Sequence, residues 1–391
     1  MTTSTQAAQH GLSEHSHGAG APIQTRSERK RSANVADFEP ISQREDQWRY
    51  LPAERLKGLD GDQLAEFAGD IELKAPDGVT TDWISPDHKF FGAAGLPEDR
   101  PSAAAWQSAQ AAYLINIPGD AKPDCEVQAI FKSSELEPSA SHVVINAEAF
   151  SQGVVILDHK GSGVLAENVE ILVGDEANIT VISIQDFDSK SVHTSAQFAK
   201  LGRNSRLRHF VVTLGGETVR VVPTVEFTQP GAEVELFGLY FADAGQHLEH
   251  RPFVDHAVAN CKSRVTYKGA LQGDKARTVW VGDVLIRAAA EGTDTYELNR
   301  NLLLTDGARA DSVPNLEIET GQIEGAGHAS ASGRFDDEQL FYLQARGIDE
   351  IEARRLVVRG FLNEIIQQIG VDEVEIRLTR AIEEELARSN S

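Results

Sequence analysis

One histidine of this chain stands where its imidazole could do chemistry. His328 lies within Gly-Ala-Gly-His-Ala-Ser, so no bulky neighbour in sequence shields it. A neutral imidazole is a good ligand for iron, and small neighbours leave it reachable from another subunit. A histidine that is simply packed or solvated at the end of a β domain would fit the same residues. Residue type alone therefore leaves two interpretations of His328 open, a metal ligand and a structural residue.

A second candidate lies in the segment DHAVANCKS, which runs from Asp255 to Ser263 and contains Cys261. As a thiolate, Cys261 could relay sulfur or bind iron. A cysteine among strand-forming residues is more often a small buried hydrophobic residue. Cys125 is the only other cysteine in the sequence, and no role is assigned to it. Two distant cysteines exclude a disulfide framework and a self-contained four-cysteine cluster site, so a cluster handled here would need ligands from a partner.

Signatures of common enzymes are missing from the sequence. There is no phosphate-binding GxxxxGK[ST] loop and no GxSxG, HExxH or CxxC motif. The chain is therefore expected to be non-catalytic. Two alternatives stay open: a free-standing metal protein, and a β-helix enzyme acting on acidic polysaccharide. Their candidate residues are, in turn, His247, His250 and His256, and Asp283, Arg287 and Asp294.

Composition narrows the classes further. The 391 residues carry a formal net charge of −23, which argues against a nucleic-acid partner, because phosphate binding needs clustered Lys and Arg. No apolar run approaches the roughly 18 residues that span a membrane, and the first 35 residues have no apolar core like that of a secretory signal. We expect a cytoplasmic protein without a membrane partner.

Four segments follow from the sequence pattern. Residues 1–35 are rich in Ser, Thr, Gly and Ala, which predicts a disordered tail whose His10, His15 and His17 are solvated. Residues 36–125 predict a small mixed, partly helical domain that includes a helix at 103–112. Residues 126–335 contain recurring β-branched runs, and residues 336–391 are helical.

The β segment carries a repeat. Small residues precede or open successive strand-like runs, at several intervals near 30 residues: 28, 27, 31 and 32. Small residues at a repeated corner let the turns of a solenoid stack closely, so the pattern favours a β-helix, with a β-sandwich as the competing fold. The corner residues are Ala177, Ser205, Ala232, Ser263, Ala276 and Ala308.

The C-terminal segment predicts three helices. Asp336 and the two acidic residues after it suit a helix start, and turns are expected at Gly347 and Gly370. An apolar stripe marks the inner face of the middle helix, and Ile382 and Leu386 mark that of the last. The stripe consists of Ile351, Val358, Phe361, Leu362, Ile365, Ile366 and Ile369. Such helices could dock a partner or cap the solenoid end.

The order of several motifs resembles one known family. NRNLLL, DG-A-AD, P-LEI, the Gly-His loop, DDEQLFYL and RGI follow one another as in the SufB/SufD scaffold proteins of iron–sulfur cluster assembly. The resemblance implies a right-handed parallel β-helix core. It also implies a SufBCD complex of one SufB, two SufC ATPases and one SufD, with a reduced flavin associated, although no residue here identifies a flavin site. A homodimer is conceivable for the isolated chain, which is expected to hold no cofactor of its own.

The resemblance also implies site residues. His328 would lie at the SufB–SufD interface, where a nascent cluster is shared, and Cys261 matches the cysteine of a family D-H-x-x-P-x-C-x-S motif. The segment that docks the ATPase corresponds here to Phe341, Tyr342, Leu343, Arg346, Gly347, Ile348, Glu352, Ala353 and Arg354.

The SufD branch of the family is favoured, because SufB proteins have a cysteine where this chain has Gly-Ala-Gly-His. Two departures are visible. Ala326 replaces a cysteine common in that branch, and Ala259 replaces the usual proline. A cluster-ligand role would therefore depend on His328 alone.

Overall fold

The computed structural model describes residues 29–122, 124–334 and 337–388. Most of the predicted disordered tail, with His10, His15 and His17, lies outside the described residues. So does the predicted helix-start residue Asp336.

Two sheets stack their strands around a common lumen in a β-helix of about eight turns. The first sheet, sheet A, contains β1 (Ala65–Glu66), β3 (Thr80–Ile84), β4 (Ala112–Ile117), β6 (Pro138–Ala147), β8 (Val164–Val173), β10 (Val192–Leu201), β12 (Thr218–Phe227), β14 (His247–His250), β15 (Phe253–His256), β17 (Arg277–Ile286) and β19 (Arg309–Ile318). Sheet B contains β2 (Asp70–Lys74), β5 (Glu126–Ser133), β7 (Gln152–Gly161), β9 (Asn178–Phe187), β11 (Arg206–Thr213), β13 (Glu233–Ala242), β16 (Lys262–Leu271), β18 (Asp294–Leu303) and β20 (Gly325–Arg334). From β4 to β20 the pairing is parallel. The predicted mainly β class and the β-helix are thus confirmed, and the competing β-sandwich is wrong.

In-register stacking builds the lumen. Alternate residues of each strand point inward, so identical positions of successive turns meet in apolar ladders. One ladder joins Ile179, Leu207 and Val234, which pair across three strands and are at most 1% exposed. Each fully buried side chain of this size contributes about 1.5–3 kcal/mol relative to an exposed one.

The predicted corner residues form two stacks rather than one. Ala276 and Ala308 directly precede β17 and β19 of sheet A, and the other stack lies at the start of sheet B strands. Ala177, Ser205 and Ala232 directly precede β9, β11 and β13 and are buried. Glu233 pairs with Lys262, so Cys261 is the next member of this stack. Ser263 lies one strand position inside β16, and its prediction as a corner residue was wrong. The reason is that the corner accepts a small thiol as readily as an alanine.

The N-terminal region covers the outer face of sheet A. Trp48, Leu51 and Leu56 pack against that sheet and against helix α1 (Arg100–Ser108). Asp99 caps α1 and also accepts a 2.5 Å hydrogen bond from Arg220, a buried residue of β12. The sequence predicted this helix at 103–112. The observed helix begins earlier and ends at Ser108, and Ala112 already belongs to β4.

The C-terminal helices are α2 (Asp337–Gln344), α3 (Glu350–Ile366) and α4 (Asp372–Arg388). Most of the predicted apolar stripe packs on the outer face of sheet B, although Ile351 is exposed. Arg377 of α4 fastens this layer by donating to Asp158 at 2.6 and 3.0 Å and to Asp186 at 2.8 Å. Helices α3 and α4 thus cover a side of the solenoid, and not its end at β19 and β20. Within the described ranges no helix is long and apolar enough to cross a lipid bilayer.

Candidate functional site

His328 lies on the last turn of the β-helix. It stands on β20 directly opposite Glu297 of β18, so both side chains leave their strands on the lumen side. Glu297 is 1% exposed, whereas His328 is exposed, although both belong to adjacent strands. The lumen is therefore open above His328, which a second molecule can reach.

The same turn leaves two free strand edges. Among the described residues, β20 pairs only with β18, and β19 pairs only with β17. The N–H of Gly325 donates to Thr293 of the β18 side at 3.2 Å. Because parallel strands alternate their bonding direction, the N–H groups of Ala326, His328 and Ser330 point away from β18. The open end thus offers backbone donors beside an accessible imidazole.

Glu297 is a functional candidate that sequence reasoning missed. In the described part of the chain neither of its carboxylate oxygens has a hydrogen-bond partner. Burial, with a smaller contribution from Asp283, raises its pKa to about 8, so the carboxyl is mainly neutral at pH 7. Alternation within YELNRN could have placed Glu297 on an inward face beside Asn299 and Asn301.

Cys261 is placed apart from His328. It stacks in the corner above Ala232, fully buried, with its Sγ 3.6 Å from the carbonyl oxygens of Gln229 and Ala259. Burial raises the pKa of its thiol, which disfavours the thiolate. His328 stacks instead on Glu297, so the structure does not bring the two predicted residues together.

The rest of the Asp255–Ser263 motif builds a corner. Asp255 accepts two 2.7 Å hydrogen bonds from Arg287. The His256 ring nitrogen Nε2 lies 2.9 Å from the Ser263 hydroxyl, which lies 2.6 Å from that of Thr295. These bonds hold together the strands on either side of the turn.

Residues of the two alternative functions are dispersed. His247 bonds Glu249 outside the lumen, whereas His250 and His256 face inward from two separate strands. Asp283 and Asp294 lie on different sheets, and each carries its own cationic partner, Arg29 and Arg264 respectively. Neither group forms a site.

The predicted docking residues lie around the turn from α2 to α3. Phe341 and Tyr342 are 72% and 55% exposed, and the Arg346 guanidinium stacks on the Tyr342 ring at 4.2 Å. Gly347 has a φ of 86°, which favours glycine. Arg346, Gly347 and Glu352 are exposed, Leu343, Ile348 and Arg354 are half-buried, and Ala353 is buried.

A cleft lies beside these residues, between α3 and α4. Its volume is about 350 Å³, and its walls carry both charge signs. The residues that line it include Glu352, Arg355, Leu356, Arg359, Arg380 and Glu383. Exposed aromatic and arginine side chains next to a cleft are typical of a protein-binding surface.

Together these features define a β-helix with an uncovered end and a C-terminal helical layer on one side. Residues 130–361 match the family described as SUF system FeS cluster assembly, SufBD core domain. The chain belongs to the SufBD family of iron–sulfur cluster assembly proteins.

Individual relatives agree with this assignment. An iron–sulfur cluster assembly SufBD family protein of Mycobacterium leprae is 50% identical over 368 residues, covering 92% of this chain and 94% of the relative. A second such protein of that organism is 26% identical over 276 residues, covering 69% of this chain and 31% of the relative. The iron–sulfur cluster assembly protein SufD of Escherichia coli is 23% identical over 370 residues, covering 84% and 85%. Mycobacterium leprae therefore carries two members of the family.

Proposed function

We propose that this chain is a SufD-like, non-catalytic scaffold subunit of a cytoplasmic, ATP-driven SufBCD complex for iron–sulfur cluster assembly. It pairs with a SufB-like paralogue through the open end of its β-helix and docks one SufC-like ATPase on its C-terminal helices. The name of the Escherichia coli relative and the paralogues in Mycobacterium leprae support this proposal.

The open end carries the proposal. Free strand edges are normally blunted or covered, because unpaired N–H and C=O groups bind other chains. Here β19 and β20 each keep one free edge, in the described structure, around a partly open lumen. A paralogue with a similar last turn would satisfy both edges and bury His328.

The assembling cluster is cargo at this interface. His328 can bind iron through a neutral imidazole, whereas Ala326 offers no thiol. The partner must therefore supply the thiolates, and this chain contributes one nitrogen ligand and the surface that excludes water. The complex would carry this transient cluster and a reduced flavin. The isolated chain needs no redox group of its own for that role.

The ATPase would act through the helical layer. Phe341, Tyr342 and Arg346 offer an exposed aromatic and cationic surface, and α3 and α4 are fastened to sheet B through Arg377. Closure of two ATPase subunits would pull on these helices and strain the paired β-helices near His328. Hydrogen exchange around His328 in the complex should therefore rise with ATP, and unchanged protection would contradict this step.

Co-expression tests the whole proposal. The tagged chain is produced with the SufB-like paralogue and the ATPase of the same cell, purified and weighed by native mass spectrometry. A complex with both partners is expected, and a chain that captures neither would contradict the proposal. The isolated chain serves as the control, in which free edges can pair two copies as a homodimer.

A further inference from the structure

A second polar cluster lies inside the β-helix, several turns from the open end and on the lumen side of the sheet whose outer face α3 and α4 cover. His159 of β7, Glu167 of β8 and His193 of β10 all point into the lumen and are at most 1% exposed. Each offers one ligand atom, and these atoms lie within 4.8 Å of one another. Strands β8 and β10 are neighbours, and β7 meets β8 across a tight corner.

Hydrogen bonds orient His159 as a ligand. Its Nδ1 lies 3.3 Å from the carbonyl oxygen of Ile184, so an Nδ1–H donates there. The neutral ring then directs the lone pair of Nε2 at Glu167, whose Oε1 lies 2.9 Å away. Two lone pairs facing each other at this distance need a cation between them, either a proton or a metal ion.

His193 distinguishes between the two cations. Its Nε2 lies 3.6 Å from Oε2 of Glu167, and neither ring nitrogen has a hydrogen-bond partner within the described ranges. A proton on His159 would satisfy the His159–Glu167 pair, but it would leave the His193 Nε2 3.6 Å from Oε2 of Glu167, beyond normal hydrogen-bond distance. A metal ion would satisfy all three residues. With bonds of about 2.0–2.2 Å, tetrahedral zinc holds its ligand atoms roughly 3.4 Å apart, between the two observed separations.

An outer shell supports the ligands. The hydroxyls of Ser195 and Ser141 donate to Glu167 at 3.1 and 3.4 Å. Phe131 stacks on His159 with ring centroids 4.9 Å apart, and Phe187 meets His193 edge-on at 5.0 Å. Second-shell hydrogen bonds to a carboxylate and to the far nitrogen of an imidazole are typical of metal sites.

We propose that His159, Glu167 and His193 bind one divalent transition-metal ion, zinc or ferrous iron, as a structural site that joins the two sheets. Two imidazoles and a carboxylate suit either ion, and both oxygens of Glu167 can take part. The site departs from the expectation that the isolated chain holds no cofactor. It is independent of the proposed scaffold function, because it is remote from the open end and needs no partner.

The test uses the full chain with a tag that lacks histidine. Tail residues His10, His15 and His17 are replaced by Asn in every sample, because they could bind metal adventitiously. Elemental analysis should find stoichiometric zinc or iron in this parent protein. Glu167→Gln and His193→Asn should each reduce the content at least about tenfold. His209→Leu is the matched control, since it removes another fully buried lumen histidine and should leave the metal in place.

A second measurement covers variants that fail to fold. Parent protein is unfolded with a chelator and refolded with Zn²⁺, Fe²⁺ or Co²⁺. Refolding with metal should raise the Tm by roughly 5 °C or more, and Co²⁺ should give visible d–d bands of a tetrahedral site. Parent protein that is free of metal as purified and after refolding would overturn the proposal, as would metal retained in both folded site variants.

Discussion

Two regions of this β-helix place histidine near a carboxylate in the lumen, but they differ in solvent exposure. Around Glu167 the next turns close over the side chains, so that His159, Glu167 and His193 are sealed from solvent. At the last turn Glu297 is buried, but His328 above it is exposed, since no described strand covers β20. The residue types are similar in both places, although Glu297 and His328 lie on adjacent strands of one sheet and His159 meets Glu167 across the corner between the sheets. The presence or absence of a following turn decides whether such residues stabilise the chain or meet a partner.

The largest effect is expected from blocking the free edge of β20, where we propose that the paralogue binds. Ser330→Pro removes an N–H that points away from β18 and adds a ring there, a change that edge strands tolerate. We expect roughly 100-fold weaker binding of the SufB-like paralogue, equivalent to about 2.7 kcal/mol, in a titration of purified subunits.

Ser330→Ala is the control for that experiment, because it keeps the N–H while removing the hydroxyl. It should bind almost as the parent does. Unchanged affinity of folded Ser330→Pro would show that the partner does not use this edge.

The covered side is tested by Arg377→Ala. The change leaves Asp158, whose side chain is fully buried, with Lys160 as its remaining cation and removes the ion pairs between α4 and sheet B. We expect the free energy of unfolding to fall by about 3 kcal/mol in denaturant titrations. Arg359→Ala, which breaks an exposed pair with Glu383, should cost no more than about 0.5 kcal/mol. Equal effects of the two changes would contradict the anchoring role of Arg377.

The substitution His209→Leu tests the cost of a buried polar side chain in the closed part of the lumen. His209 pairs in register with Val181 and Leu236, and both its ring nitrogens lack partners among the residues described. The substitution should raise the unfolding free energy at pH 7 by about 1 kcal/mol, since a buried unsatisfied group is removed.

The gain should grow in acid. Burial lowers the pKa of His209 to about 4, from an ordinary 6.5. Between pH 6.5 and 4, His209 is therefore protonated in the unfolded chain but stays neutral in the folded chain. Because the unfolded state binds more protons, the parent loses stability as the pH falls through that window. The advantage of the His209→Leu variant should widen there by up to about 3 kcal/mol. A pH-independent difference between the two proteins would mean that His209 is hydrated when folded.

The smallest effect is expected at the open end itself. His328→Ala should change the stability of the isolated chain by less than about 0.5 kcal/mol, because its side chain is exposed. The same variant should lower the iron and sulfide content of the purified complex without dissociating it. A large loss of stability would instead assign His328 to the fold.

Much of the fold followed from local patterns. β-branched runs with a small residue before them predicted the β-helix, and the apolar stripe from Val358 to Ile366 predicted the inner face of α3. The errors arose where position depends on stacking. Ser263 was expected at a corner that Cys261 occupies, and a helical cap was considered for an end that α3 and α4 leave uncovered. His247, His250 and His256 are neighbours in sequence, yet strand alternation turns His247 outward and the break between β14 and β15 separates the other two.

The sequence by itself determined the family and the strand repeat, because each depends on residue types within a short window. Only the tertiary structure decided which side chains of different strands become neighbours in the lumen. Glu297 meets His328, and Glu167 meets both His159 and His193, through registers set by the length of each turn. Those registers depend on the packing of the whole stack, and no short window of sequence encodes them.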